Sequence, residues 1–194
     1  MIRETIITTI NADGSVHIAP MGIREEDGLV VIAPFKPSTT LDNILRNRSA
    51  VVNMTDDVRI FAGCLTGRYD WPTLAVEGIE GYRLEQALSH MELQVTRFEE
   101  DEVRPSFYCS ILARVNHRPF TGFNRAQSAV LEAAILVSRL HMLPRTKIEE
   151  EIRYLEIAVE KTAGPDESQA WEWLMQRVRN YYARDKNAEG EQVL

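Results

Sequence analysis

The chain carries two kinds of hydrophobic spacing. Over residues 4–115, apolar side chains come in short runs or alternate with polar ones between turn residues, which predicts strands. From residue 124 they recur three and four positions apart, which predicts amphipathic helices. Residues 4–10 (ETIITTI) read as a β-branched strand. Asn11-Ala12-Asp13-Gly14-Ser15 is a tight turn with Gly14 at positive φ, and residues 16–19 are the returning strand. Pro20-Met21-Gly22 should break that strand, with pairing resumed at 23–25. Residues 29–33 form a central apolar strand, 41–46 a short helix and 50–54 the next buried strand. Residues 58–66 fit a short helix or a loop. Residues 82–98 and 105–115 read as two long strands joined by the acidic turn Glu99-Glu100-Asp101-Glu102. On the first, Met91, Leu93 and Val95 alternate with His90, Glu92 and Gln94, as in a half-buried antiparallel pair.

Three helices follow, over 124–143, 147–162 and 166–185, separated by Pro144 and Gly164-Pro165. The expected organisation is a β-barrel or sandwich over 1–119, an antiparallel three-helix region over 120–187 and a polar tail over 188–194.

Composition narrows the function classes. With 22 Lys and Arg against 29 Asp and Glu, the net charge of −7 argues against nucleic acid or an anionic membrane as partner. The longest apolar helical run, 129–137, is interrupted by Glu132 and too short to span a bilayer. No basic-plus-apolar leader opens the chain. Cys64 and Cys109 lack CxxC spacing and fit buried, reduced thiols, so the expected location is cytoplasmic.

The chain lacks GxSxG, HExxH, GxGxxG and GxxxxGK[ST], and His17, His90, His117 and His141 are scattered, so no metal site is expected. His90 and Glu92 share a strand face, which reads as a solvated polar face. Three stretches remain. In the first, two prolines and Lys36 lead into Ser38-Thr39-Thr40 at the start of the short helix. Any of these hydroxyls can cap the helix, and its free N–H groups and dipole suit a phosphate, with Arg46 and Arg48 downstream. Taken alone, the cluster is a helix cap. The second is Pro20-Met21-Gly22-Ile23, a bulge or turn, or a place where backbone approaches a flat ligand. The third is Asn124-Arg125, a cap followed by a cation where the helix dipole favours an acid. An anion partner or a plain surface arginine accounts for Arg125.

In this order, Pro20-Met21-Gly22, the apolar strand, Ser38-Thr39-Thr40-x-x-Asn43 and Val52-Asn53 resemble the flavin-reductase-like family of FMN-binding split β-barrels. The whole chain resembles a group within it whose helical C-terminal region opens on Gly122-Phe123-Asn124-Arg125-Ala126. The resemblance implies a homodimer with FMN at the subunit interface. Ser38, Thr39, Thr40 and the helix N-terminus would hold the phosphate, with Asn43 close by. The backbone of Met21, Gly22 and Ile23 would run along the isoalloxazine edge, and Asn53 would support the site or touch the ribityl chain. Lys36, Asn124 and Arg125 are further candidates. The implied function is an FMN-dependent oxidoreductase passing electrons from a reduced donor to a small organic acceptor. Residues 68–71 or the helical region would shape the substrate side. The alternative is a non-enzymatic FMN-binding module, or a flavin-free dimeric one. No residue stands out as a proton donor or a nicotinamide ligand.

Overall fold

The computed structural model describes residues 1–191, with side chains to Arg184. Contacts divide the chain into two compact units: residues 1–56 with 69–120, and residues 57–68 with those from 121 onward.

In chain order the first unit contains β1 (Ile2–Ile10), β2 (Val16–Glu26), β3 (Leu29–Ile32) and α1 (Thr39–Asn47). They are followed by β4 (Ser49–Met54), β5 (Thr73–Ala75), β6 (Tyr82–Leu84), β7 (Ser89–Glu99) and β8 (Ser106–Asn116). Six of the strands close an antiparallel barrel in the order β1-β2-β3-β8-β7-β4, with β4 returning to pair with β1. Their inward residues, among them Ile7, Ile32, Val52, Leu93, Phe107 and Cys109, form one continuous core. Leu41 and Ile44, three apart on α1, join that core, so the helix is anchored by its apolar face. Each such burial contributes about 2 kcal/mol. β5 and β6 form a separate two-stranded sheet.

The predicted Asn11–Ser15 turn is present, with the Asn11 N–H on the Ser15 carbonyl at 2.9 Å and Gly14 at φ 85°. Two strand expectations are corrected. Pro20-Met21-Gly22 does not break β2, which runs unbroken from Val16 to Glu26. The β3 ladder covers only Ile23 to Glu26 of β2, so among the described residues β1 is the strand that pairs with 16–22. On such an edge the missing proline N–H costs no ladder bond. The long strand over 82–98 is two strands, β6 and β7. Leu84 and Ala87 between them are buried at a spacing of three rather than two, and the Ala87 N–H bonds the Leu84 carbonyl in a turn.

The second unit is helical: α2 (Val58–Leu65), α3 (Arg125–Ser138), α4 (Arg145–Thr162) and α5 (Pro165–Glu191). The 58–66 segment is a helix, capped by the Asp57 carboxylate on the Arg59 N–H at 3.1 Å. Its Val58 and Ala62 pack with Ala126, Val130, Ala133, Ile148, Trp171 and Leu174. The predicted 124–143 helix stops at Ser138, and 139–143 are turns closed by bonds such as Met142 N–H to Arg139 C=O. α5 extends beyond the predicted end to Glu191. The tail expected over 188–194 falls beyond the described side chains, and 192–194 lie outside the described residues. Among the described residues no helix is long and apolar enough to cross a membrane.

Candidate functional site

After β3 the chain leaves the barrel through buried Ala33 and Pro34. The loop is tied to the β7–β8 turn by Lys36 N–H to Val103 C=O at 2.9 Å and Arg104 Nε–H to Ala33 C=O at 2.7 Å. It delivers Ser38 in an extended conformation (φ −157°, ψ 146°), and the Ser38 hydroxyl accepts the Leu41 N–H at 3.3 Å. Ser38 is therefore the cap. Thr40 is 2% exposed, with its Oγ1 3.2 Å from His17 Nε2 on the stretch of β2 that β3 does not reach. Thr39 is exposed. Among the described residues, no hydrogen bond occupies the backbone N–H groups of Thr39 and Thr40. Two orphan donors at the positive end of a nine-residue helix, beside an exposed hydroxyl, have the chemistry of an anion cradle. The His17 contact sets this cradle against the open edge of β2. Burial lowers the pKa of His17, so its ring is neutral at pH 7.

The cations expected around the cradle are not gathered on it. The Lys36 ammonium pairs with Glu100. Arg46 donates to the Ile10 carbonyl at 2.7 Å and to Asn43 Oδ1 at 2.6 Å. Arg48 terminates α1 in the left-handed region (φ 57°), a helix length of about 13 Å from the cradle at 1.5 Å per residue. The positive potential at Thr39 is therefore that of the backbone.

Asn43 is 2% exposed, and its amide donates to Thr9 Oγ1 (3.0 Å) and Asn11 Oδ1 (2.9 Å), bolting α1 to the end of β1. Asn53 is fully buried. Its Nδ2 reaches the Ile6 carbonyl (3.1 Å) and Thr8 Oγ1 (3.2 Å), and its Oδ1 accepts the Leu84 N–H at 2.8 Å. Both asparagines spend their amides inside the barrel, as struts. Met21 and Gly22 are half-buried on the open β2 edge, whereas Ile23 is 1% exposed in the core. A Cβ on Gly22 would lie 2.8 Å from Ile2 Cγ2, so close packing against β1 accounts for this glycine. Asn124 and Arg125 belong to the helical unit. Asn124 caps α3 through the Ala126 N–H (2.7 Å) and donates to the Thr162 carbonyl (3.0 Å). Arg125 is exposed beside a 280 Å³ cavity with Ser128, Glu132 and Tyr154.

Sequence reasoning missed a polar cluster on the outer face of the barrel. His90 and Glu92 are 4% and 3% exposed, which corrects the solvated polar face. Their cover is local: Gly78 donates its N–H to Glu92 Oε2 at 2.6 Å, and a Cβ there would sit 2.6 Å from the same oxygen. His90 Nε2 lies 3.4 Å from Glu92 Oε1, and His90 Nδ1 lies 2.8 Å from His117 Nε2. The available signal was the His90/Glu92 pair on one strand face; His117, just after β8, is distant in sequence. Cys64 and Cys109 are buried thiols, each pushed up to about 12 by desolvation and hence inert.

The sequence matches two family models in succession, described as "Protein of unknown function (DUF447) N-terminal domain" over residues 3–118 and "Protein of unknown function (DUF447)" over 124–176. No curated protein matches it. Among solved structures it is similar to the FMN-bound protein MM1853 from Methanosarcina mazei, described under the same family model. The TM-score is 0.80 at 22% identity, over 91% of this chain and 94% of that one. It is also similar to the 2-nitrobenzoate 2-nitroreductase NbaA of Pseudomonas fluorescens (0.51; 23%; 59% of this chain and 64% of that one). A third is a flavoredoxin from Methanosarcina acetivorans (0.51; 15%; 60% of this chain and 69% of that one). At these identities the likeness is one of fold.

Proposed function

The chain belongs to the DUF447 family, and on that footing we propose that it is an FMN-binding flavoprotein, dimeric with the cofactor at the subunit interface. Its activity is the transfer of electrons from a reduced donor to a small organic acceptor. The observation that carries the reading is the pair of unoccupied N–H groups at Thr39 and Thr40, set by the His17 contact against the open edge of β2. This arrangement fits FMN on its own terms. A phosphate needs donors and a positive dipole rather than a basic patch, which suits a chain of net charge −7. A planar heterocycle with ring acceptors needs backbone donors, and among the described residues no second strand pairs with β2 at Met21 and Gly22.

When bound, FMN supplies the two-electron and one-electron chemistry of its own ring system. This chain's residues bind and orient. Thr39 would hold the phosphate through its hydroxyl and N–H and Thr40 through its N–H, while Ser38 holds the helix start in shape. Asn43, on Thr9 Oγ1, and Arg46, on the Ile10 carbonyl, fix α1 to β1, which keeps the cradle at a constant distance from the β2 edge. The solved structures of an FMN-bound protein, a nitroreductase and a flavoredoxin named above share the barrel, which supports the redox class by analogy.

The test is a titration of the purified protein with FMN, followed by anaerobic mixing with NADH or NADPH and then with candidate acceptors. Saturable binding with bleaching and acceptor-dependent recovery supports both halves of the reading. Binding without turnover by any donor leaves a flavin-holding module and removes the oxidoreductase half.

A further inference from the structure

Glu92, His90 and His117 make a directed hydrogen-bond chain. Glu92 takes the Gly78 N–H on Oε2, which leaves Oε1 to His90. A carboxylate only accepts, so His90 Nε2 carries the hydrogen and His90 Nδ1 carries a lone pair. That lone pair, 2.8 Å from His117 Nε2, requires a hydrogen on His117 Nε2. The remaining nitrogen, His117 Nδ1, is then an unprotonated acceptor, and it has no partner among the described residues. The two rings lie 2° from coplanar, as a bond between ring nitrogens in one plane requires.

This end of the chain borders a cavity of about 510 Å³ within the barrel unit, lined also by Val76, Arg83, Ala113 and Val115. The volume suits a small organic molecule. The charged groups that face it are Arg83 on β6, Glu77 in the β5–β6 connection and the buried Glu92 on β7. Desolvation, then Arg83 and His90, lower the pKa of His117, which keeps the ring neutral at pH 7.

We infer that this cavity is a second site, one that takes a small weak acid of phenol or enol type, with His117 Nδ1 as the base that accepts its proton. The apolar walls receive the body of the ligand, and the Arg83 guanidinium offsets the negative charge on its oxygen. The step balances within the cluster. The ligand O–H bond breaks and its proton forms the His117 Nδ1–H bond. The His117 Nε2 proton can move along the bond to His90 Nδ1, so that positive charge comes to rest beside Glu92. Nothing is oxidised or reduced. His117 touches the ligand; His90 and Glu92 are positioning residues that set its tautomer. This site stands apart from the flavin reading and does not depend on it.

Glu92→Gln gives a test that a purely structural role would not meet. Gly78 holds a hydrogen-bond donor against one oxygen position, so the glutamine must place its carbonyl there and turn its NH2 toward His90 Nε2. Both imidazoles then reverse, and His117 Nδ1 becomes a donor. Long-range proton–nitrogen NMR spectra should show His117 protonated on Nε2 in the wild type and on Nδ1 in E92Q. The ligand probe is 4-nitrophenol, added at a pH just below its own solution pKa. The wild type should bind it with the difference spectrum of the phenolate, and H117Q and E92Q should each weaken that binding at least tenfold. Wild-type His117 protonated on Nδ1, an unchanged tautomer in E92Q, no binding by the wild type, binding as the neutral phenol, or phenolate binding unaffected by H117Q would each overturn the proposal. If a variant fails to fold, the wild-type tautomer and the wild-type phenolate spectrum still decide.

Discussion

Ser38→Ala removes the acceptor of the Leu41 N–H, so stability should fall by about 1 kcal/mol in chemical denaturation. Thr39→Ala removes an exposed hydroxyl that caps nothing. The melting temperature should hold while FMN affinity drops roughly tenfold or more, since a hydrogen bond to a charged group contributes about 1.5–3 kcal/mol. If T39A binds FMN as tightly as the wild type, Thr39 is not part of the cradle. His17 adds a pH dependence of definite sign. Its folded pKa lies below that of the unfolded chain, near 6.5, so the unfolded state takes up the proton first. Stability is then level above that pH and falls as the pH drops through it and toward the folded value. Thermal melts between about pH 7.5 and 5 should show the decline, and His17→Gln should reduce its slope. An unchanged slope would contradict the burial account of His17. His117, also depressed, contributes in the same direction.

At the scale of elements, α1 depends on its inward face. Ile44 is fully buried, and Ile44→Ala should cost about 2–5 kcal/mol in unfolding free energy, measured by denaturant titration. Asn53→Ala should act on the barrel closure instead. It strands the Leu84 N–H inside the fold and takes a donor from the Ile6 carbonyl, while the Thr8 hydroxyl keeps its bond to the Tyr82 carbonyl, and a loss of about 1–3 kcal/mol is expected from the unpaired donor. Near-wild-type stability in N53A would show that this strut carries little. These elements also show what local sequence can and cannot convey. The Asn11–Ser15 turn, the hydroxyl-capped α1 and the Asn124 cap were legible because each is decided within a few residues. The continuity of β2 through Pro20 was not, because it depends on how far β3 reaches along its neighbour. The flanking arginines read as cradle charges from spacing alone, yet Arg46 turns to β1 and Arg48 sits at the other end of the helix. His90 and Glu92 share a strand face in the sequence, but whether that face is wet depends on Gly78, a part of the chain that does not pair with β7.

On the scale of the whole molecule, alternation and helical periodicity separated a β-rich stretch, barrel or sandwich, from a helical one. The placement of α2 in the helical unit was not readable from chain order, since its residues lie between two stretches of the barrel unit. The proposed placement of FMN between subunits requires a partner surface, and the barrel unit exposes large apolar side chains, including Ile2, Phe35 and Leu112, that a partner would cover. Light scattering of the FMN-loaded protein should therefore give twice the 22.2 kDa chain mass. A monomer that retains FMN would contradict the interfacial placement of the cofactor while leaving the cradle itself in play.

FMN binding by the cradle at Thr39 and the edge of β2 is open to direct test. Its most direct measurement is the absorbance spectrum of the purified, FMN-incubated and then desalted protein, with the mass of the small molecule released on denaturation. The account predicts flavin bands and the mass of FMN. A colourless protein that releases no flavin would contradict it.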